Sequence, residues 1–206
     1  MLALIHLLRY LSQHIQYGLT FYANIKESPI YKMLQMNNIT PSRKMFTFSD
    51  SSWDDDQDTS RSTGGYFIFY QSGIVDHSSN MPGPIAMSSA EAEYNECCLA
   101  CMATGNMHMT LNHIEGIEDG SPEDLPVDIL MDSKSAVDMS LTFKDTRNAR
   151  HIRRHFHFVK QGTEQKWHKL VWISNQFMVA DVTTKILAKK PLEDQVQWFM
   201  KRDCQE

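Results

Sequence analysis

The chain has 206 residues, enough to fill one hydrophobic core and to carry a small appendage. Hydrophobic residues make up 42% of it and charged residues 22%, which is typical of a folded globular domain. The net charge of −5 excludes attraction of a polyanion by overall charge, so only a local basic patch could bind one.

The N-terminal residues predict a surface helix. Leu2, Ile5, Leu8 and Leu11 recur at helical spacing, so we expect the helix to pack on a core. The apolar run is short and no basic stretch precedes it, which fits neither a signal peptide nor a membrane span.

The next part of the chain is rich in strand signals. A strand is predicted over residues 17–23, and the polar segment 24–43 has the composition of a linker. Three further strands are predicted over 44–50, 64–73 and 73–79. Their short connections predict an antiparallel meander.

Residues 88–111 predict the longest helix. Ser88 and Ser89 are candidate N-caps, and Glu91 lies in the first turn. Three of the four cysteines, at positions 97, 98 and 101, are too close along this helix for a normal disulfide framework. We therefore expect reduced, buried thiols of an intracellular protein.

The rest of the chain alternates strands and helices. Strands are predicted over 127–132 and 169–174, and helices over 133–141, 147–160 and 177–200, the last with a break near Pro191. Strands that alternate with helices in this order predict an α/β domain with a mixed sheet.

Acidic residues stand at the ends of two predicted strands. Asp50 and Asp132 would meet at one sheet edge if their strands are neighbours, while Glu91 or Glu93 and Asp181 come from two helices. Any one of these acids alone could be a turn cap or a solvated charge. Together they would repel one another unless two divalent cations neutralised them, and oxygen ligands favour magnesium or manganese.

The segment 144–160 is strongly basic and predicts a local positive face. Such a face could bind along the phosphates of a nucleic-acid duplex, or it could simply be a solvated helix surface. The side chains proposed to contact phosphates are Arg147, Arg150, Arg153, Arg154 and Lys160. His151 and His155 have the spacing of zinc ligands, but the sequence shows no third ligand.

Six sequence blocks occur in a specific order. They are "LLRYLSQHIQYGLTFY" (7–22), "SDSSWDDDQDTSRSTGGYFIFY" (49–70), "IAMSSAEAEYNECCLA" (85–100), "MDSKSAV" (131–137), "ARHIRRHFHFV" (149–159) and "VADVTTK" (179–185). In this order they resemble the ribonuclease H domain of copia-type long-terminal-repeat retrotransposon Pol polyproteins. The chain departs from that family at Ser52, where a second acid is usual, and at Glu96, where a small residue is common.

The resemblance implies a ribonuclease H-like α/β fold. Its mixed five-stranded sheet would have three antiparallel strands followed by two parallel ones, flanked by helices. Residues 1–43 would be a remnant of the reverse-transcriptase tail or connection, and residues 44–206 the ribonuclease H-like domain.

The resemblance also implies the site. Asp50, Glu93, Asp132 and Asp181 would hold two Mg²⁺ or Mn²⁺ ions. Glu93 is chosen over Glu91 because the residues that follow it fit the ribonuclease H pattern. The two glutamates lie about 200° apart around a helix of ~3.6 residues per turn, so both cannot face the ions.

The implied activity is metal-dependent hydrolysis of the RNA strand of RNA–DNA hybrids. The implied partners are the hybrid and the reverse-transcriptase domain of a parent polyprotein, with no membrane, in an intracellular location that is cytoplasmic or nuclear. One alternative is a catalytically inactive relic or a nucleic-acid-binding module. Another is a DNA-cutting transposase or integrase core, but there the catalytic glutamate comes last in the chain, whereas Glu93 precedes Asp132.

Overall fold

The computed structural model describes residues 2–53, 61–81, 85–118, 125–141 and 153–202. The helices are α1 (Leu2–Gln13), α2 (Pro29–Met36), α3 (Ser89–Glu115), α4 (Lys134–Leu141), α5 (Arg153–Glu164), α6 (Asp181–Thr184) and α7 (Lys189–Val196). The strands are β1 (Tyr17–Leu19), β2 (Met45–Ser52), β3 (Thr63–Tyr70), β4 (Gly73–Asn80), β5 (Val127–Met131), β6 (His168–Trp172) and β7 (Met200–Arg202).

The main sheet has five strands in the order β4-β3-β2-β5-β6. The β4–β3 and β3–β2 pairs are antiparallel, and the β2–β5 and β5–β6 pairs are parallel. This arrangement confirms the expected mixed sheet of three antiparallel strands followed by two parallel strands. β2 is central because it pairs with both β3 and β5, so its carboxyl end lies in the middle of one sheet edge.

The two faces of the sheet bury different side chains of the same strands. On one face, Phe46 and Phe69 stack with ring centroids 5.2 Å apart, in a core that also contains α2 and α7 residues. On the other face, Tyr94 of α3 stacks on Phe156 of α5 at 5.4 Å, above Ile129 of β5. Side chains of a strand alternate between faces, so one central strand can serve two cores.

Helix α3 runs across the second face, and both its ends are capped. The Ser88 hydroxyl accepts a hydrogen bond from the Glu91 amide, as expected for an N-cap. The helix ends at Gly116, whose φ of 71° lies in the left-handed region that glycine adopts at low cost. These caps satisfy backbone groups at the two helix ends that have no partner within the helix.

The expectation of a linker over residues 24–43 is wrong. Pro29 begins α2, where its missing amide hydrogen costs nothing, and Ile30, Met33 and Leu34 are fully buried in the core that holds Phe46. The boundary expected between residues 43 and 44 therefore does not separate two hydrophobic cores.

The N-terminal helix forms as expected, but its expected packing on a core is wrong for the side chains that are described. Leu4, Leu8 and Leu11 are each more than half exposed. Helical periodicity predicts an apolar face without saying what covers it. No helix in the described part of the chain is long and apolar enough to cross a membrane.

The C-terminal segment differs from the single broken helix expected over 177–200. Two short helices, α6 and α7, flank an extended stretch at 185–188, and Pro191 lies in the first turn of α7. A proline is tolerated there because first-turn amides have no partner within the helix. The chain then enters β7, which pairs with β1 in a second, two-stranded antiparallel sheet.

Candidate metal centre

Asp50 and Asp132 come from neighbouring parallel strands. Phe46 pairs with Asp128 and Phe48 with Leu130, and the same register continued by two residues places Asp50 opposite Asp132. Asp50 is fully buried, whereas Asp132 follows the last residue of β5 and is half-buried. The two carboxylates therefore meet at one edge of the sheet, although β2 continues to Ser52 and does not end at Asp50 as expected.

Glu93 joins these two aspartates from α3. One carboxylate oxygen from each of Asp50, Glu93 and Asp132 lies within 4.8 Å of the other two. Burial raises the pKa of Glu93 to about 9, with added contributions from the charges of Asp50 and Asp132. The same two causes, burial and the charge of Asp50, raise the pKa of Asp132. The cluster thus resists carrying three negative charges.

The group has the donor set that a hard divalent cation requires. All three residues offer carboxylate oxygens, which suit Mg²⁺ or Mn²⁺. Oε2 of Glu93 is buried, and no donor in the described parts of the chain reaches it. A buried carboxyl oxygen without a partner is costly, and coordination to a cation would satisfy it. The residues therefore fit a metal ion.

Asp181, the fourth acid expected at the site, lies outside this group of three. Its Oδ1 accepts a hydrogen bond from Lys185 Nζ at 2.6 Å, and burial raises its pKa to about 6. It still lies close to Asp50, because the same Lys185 ammonium is 3.4 Å from Asp50 Oδ2. The structure thus brings all four acids to one edge of the sheet but turns Asp181 toward a lysine.

Two further glutamates of α3 have other surroundings. The Glu91 side chain accepts a hydrogen bond from the Met87 amide at 2.8 Å, so it is engaged at the helix N-terminus. Glu96 is fully buried, and neither of its carboxylate oxygens has a hydrogen-bond partner within the described residues. Burial, assisted by the charge of Asp50, raises the pKa of Glu96 to about 7.

The chain is similar in sequence to part of a transposon polyprotein. No family model matches the chain. A retrovirus-related Pol polyprotein from transposon TNT 1-94 of Nicotiana tabacum is 24% identical over 146 residues, which is 71% of this chain. The match spans only 10% of that polyprotein's length.

Solved structures of ribonucleases H share the fold. The LC11 ribonuclease H1, crystallised in complex with an RNA/DNA hybrid, has a TM-score of 0.50 at 16% identity over 68% of this chain and 94% of that one. The N-terminal ribonuclease H domain of a Mycobacterium tuberculosis protein has a TM-score of 0.50 at 14% identity over 76% of this chain and 98% of that one. The chain has the ribonuclease H-like fold.

Several residues that contact these acids were not identified from the sequence. Asn175 donates to Asp132 Oδ2 at 2.8 Å, and the Trp172 indole donates to the Asp132 carbonyl oxygen at 3.0 Å. The Thr184 hydroxyl donates to Asp50 Oδ2. Thr184 and Lys185 belong to the "VADVTTK" block, so their presence in a motif was visible, although their contacts were not.

The basic segment is described only in part. Arg147, Arg150 and His151 lie outside the described residues, and the side chain of Arg153 is not described. Arg154 is exposed, whereas Lys160 is half-buried and pairs with Glu164 at 3.4 Å. His155 contacts Asn95 Oδ1 through Nδ1 at 2.8 Å. Of the described acids, histidines and cysteines, only Asp50, Glu93 and Asp132 form a group suited to a metal.

Proposed function

We propose that the chain is the ribonuclease H domain of a copia-type retroelement Pol polyprotein and hydrolyses the RNA strand of RNA–DNA hybrids. The observation that carries this proposal is the group of Asp50, Glu93 and Asp132, whose carboxylate oxygens lie within 4.8 Å of one another. The ribonuclease H-like fold and the similarity to a transposon Pol polyprotein support the same reaction class.

Two Mg²⁺ or Mn²⁺ ions are part of this proposal. Asp50, Glu93 and Asp132 would hold one ion, and Asp50 together with Asp181 would hold the other. Bound ions of this kind activate water and stabilise the leaving oxygen in phosphodiester hydrolysis. The role of the chain is to hold its carboxylates in place.

Neighbouring residues fix the orientation of the carboxylates. Asn175 and Trp172 hold Asp132 through its side chain and its carbonyl oxygen, respectively. The Thr184 hydroxyl donates to a carboxylate oxygen of Asp50. Ligands oriented in this way bind a cation with less loss of conformational freedom.

The substrate part of the proposal rests on α5 and the basic segment before it. Arg154 is exposed and available to a phosphate, and Arg147, Arg150, Arg153 and Lys160 are proposed to extend the same track. Recognition of RNA would depend on 2′-hydroxyl contacts and on the shape of the hybrid, not on base sequence.

The polyprotein context is also a proposal. Residues 1–43 would derive from the end of the reverse-transcriptase region and residues 44–206 from the ribonuclease H region, with the reverse-transcriptase domain as partner. The buried free thiols of Cys97, Cys98 and Cys101 support an intracellular location, cytoplasmic or nuclear.

Cleavage of an end-labelled RNA–DNA hybrid tests the activity. We expect the purified chain to cut the RNA strand only with Mg²⁺ or Mn²⁺, and Asp132→Asn to abolish cutting. Asp194→Asn, on the exposed surface of α7, is the matched control and should cut normally. Metal-independent cutting, or full activity of Asp132→Asn, would contradict the two-ion assignment.

Melting curves distinguish an inactive relic from a wrong site assignment. In chelator, Asp132→Asn should melt higher than the wild type, because it removes a carboxylate whose ionised form is disfavoured in the folded state. Mg²⁺ should raise the melting temperature of the wild type and raise that of Asp132→Asn much less. A wild type that shows this shift but cuts no hybrid would be a catalytically inactive relic.

A further inference from the structure

Lys185 places a positive charge within the acid cluster, by which we mean Asp50, Glu93, Asp132 and Asp181. It follows the last residue of α6 and has extended backbone, with φ −124° and ψ 142°. Its Nζ donates to Asp181 Oδ1 at 2.6 Å and lies 3.4 Å from Oδ2 and 3.5 Å from Oδ1 of Asp50. About a third of the Lys185 side chain is exposed (31%), whereas Asp50 is fully buried.

The charge of Lys185 acts on the whole cluster. It lowers the pKa values of Glu93 and Asp132, opposing the effects of burial and of Asp50. In return, Asp50 and Asp181 raise the pKa of Lys185 above its ordinary value, although burial alone would lower it. The ammonium therefore partly neutralises acids that would otherwise repel one another.

The oxygens contacted by Lys185 are those that a second cation needs. An ion held by Asp50 and Asp181 would coordinate the carboxylates that now accept from Nζ. A divalent ion and an ammonium cannot share these oxygens, since each would repel the other at close range. The group of Asp50, Glu93 and Asp132 has no such conflict at Glu93, whose Oε2 meets no donor within the described residues.

We propose that Lys185 is a tethered competitor of the second divalent ion. Its ammonium neutralises the Asp50–Asp181 side of the cluster in the metal-free protein and must leave these carboxylates before an ion binds there. The two ion positions then differ in affinity, with a tighter one at Asp50, Glu93 and Asp132 and a weaker one at Asp50 and Asp181. This inference rests on the proposed function, because the ions concerned are those of the nuclease.

Mn²⁺ binding to the free protein, measured by calorimetry without nucleic acid, tests the inference. Lys185→Met should tighten the weaker of two binding events by about tenfold or more and should lower the melting temperature in chelator. Lys185→Gln, which keeps a hydrogen-bond donor but not the charge, gives the same expectation if the methionine variant does not fold. Lys185→Arg keeps the charge and should keep weak binding.

Lys189→Met is the matched control. Lys189, like Lys185, pairs with an acid four residues away in the chain, in this case Glu193 at 3.9 Å, but it lies on the exposed surface of α7. Its loss should leave both Mn²⁺ affinities and the melting temperature unchanged. Equal or weaker Mn²⁺ binding by folded Lys185→Met or Lys185→Gln would overturn the proposal and return Lys185 to a structural role.

The test separates this inference from the proposed function. If the wild type cuts the hybrid but the Lys185 variants bind Mn²⁺ like the wild type, only the competitor role is wrong. If neither the wild type nor the Lys185 variants bind Mn²⁺, both the competitor role and the metal-dependent nuclease assignment are wrong. If only the uncharged variants bind a second ion, the competitor role is supported whatever the activity of the wild type.

Discussion

The Thr184 hydroxyl donates a hydrogen bond to a carboxylate oxygen of Asp50, which lies 134 residues earlier in the chain. Both side chains are buried, so water cannot replace this bond if it is lost. The contact joins the end of α6 to the end of β2 and thereby ties the C-terminal part of the chain to the centre of the sheet.

Thr184→Val should therefore destabilise the protein. Valine has nearly the same shape but no hydroxyl, so a buried carboxylate loses a donor, which costs about 1–3 kcal/mol. Thr183→Val is the control. Thr183 Oγ1 donates to the Ala180 carbonyl oxygen, which also accepts from the Thr183 amide, so this carbonyl keeps a donor in the variant. Urea unfolding in chelator measures both variants, and equal losses would show that the Asp50 contact has no special weight.

The raised pKa of Glu93 makes the stability of the metal-free protein depend on pH. The folded state holds the Glu93 proton up to about pH 9, whereas the unfolded chain releases it near its ordinary value of 4.5. The contribution of Glu93 to the stability is therefore fully present below about pH 4.5 and is lost as pH rises toward about 9. Glu96 and Asp181, with pKa values raised to about 7 and about 6, contribute over the lower part of this range.

Glu93→Gln isolates the contribution of Glu93. Between pH 7 and pH 9 its unfolding free energy should fall less than that of the wild type, because the variant has no carboxyl group to titrate. Comparison of the two proteins cancels the contribution of the cysteine thiols. Glu118→Gln, at an exposed position after α3, should retain the wild-type slope. Parallel curves for the wild type and Glu93→Gln would show that Glu93 titrates normally.

Arg154 should contribute more to hybrid binding than Lys160. Arg154 is exposed and Lys160 is paired with Glu164, so the arginine is the freer of the two to meet a phosphate. Arg154→Ala should reduce the slope of log affinity against log salt by about one, and Lys160→Ala by less. Fluorescence anisotropy with a labelled hybrid in chelator gives both slopes. An unchanged slope for Arg154→Ala would make this face of α5 a solvated surface.

Two glycines should respond to alanine in opposite directions. A Cβ at Gly65 would lie 2.1 Å from Thr183 Oγ1 and 2.8 Å from the Ser78 carbonyl oxygen, so Gly65→Ala should cost about 1–3 kcal/mol of stability. At Gly105, inside α3, no described atom other than those of its chain neighbours and the nearby helix backbone lies within 4 Å of such a Cβ. Gly105→Ala should stabilise the protein by about 0.5–1 kcal/mol, since alanine favours helix. Thermal unfolding of both variants checks the difference in sign.

The sequence predicted the sheet and the longest helix because their signals are local. Alternating apolar residues mark β2 and β3, and Ser88 with Glu91 marks the start of α3. The prediction of a linker over 24–43 was wrong because the burial of this segment depends on residues that are distant in the sequence. A short helix such as α2 has a weak periodic signal, and its burial depends on distant aromatic residues such as Phe46.

The sequence by itself determined which acids could form the site, because Asp50 and Asp132 end predicted strands and Glu93 lies in the first turns of a helix with a recognisable N-cap. Only the tertiary structure decided how these acids are held. The pairing of Asp181 with Lys185, the bond from Thr184 to Asp50 and the absence of a described donor at Glu93 Oε2 all depend on packing between distant elements. Backbone periodicity is encoded over a few residues, whereas the charge balance of a buried site is fixed only when the whole chain has folded.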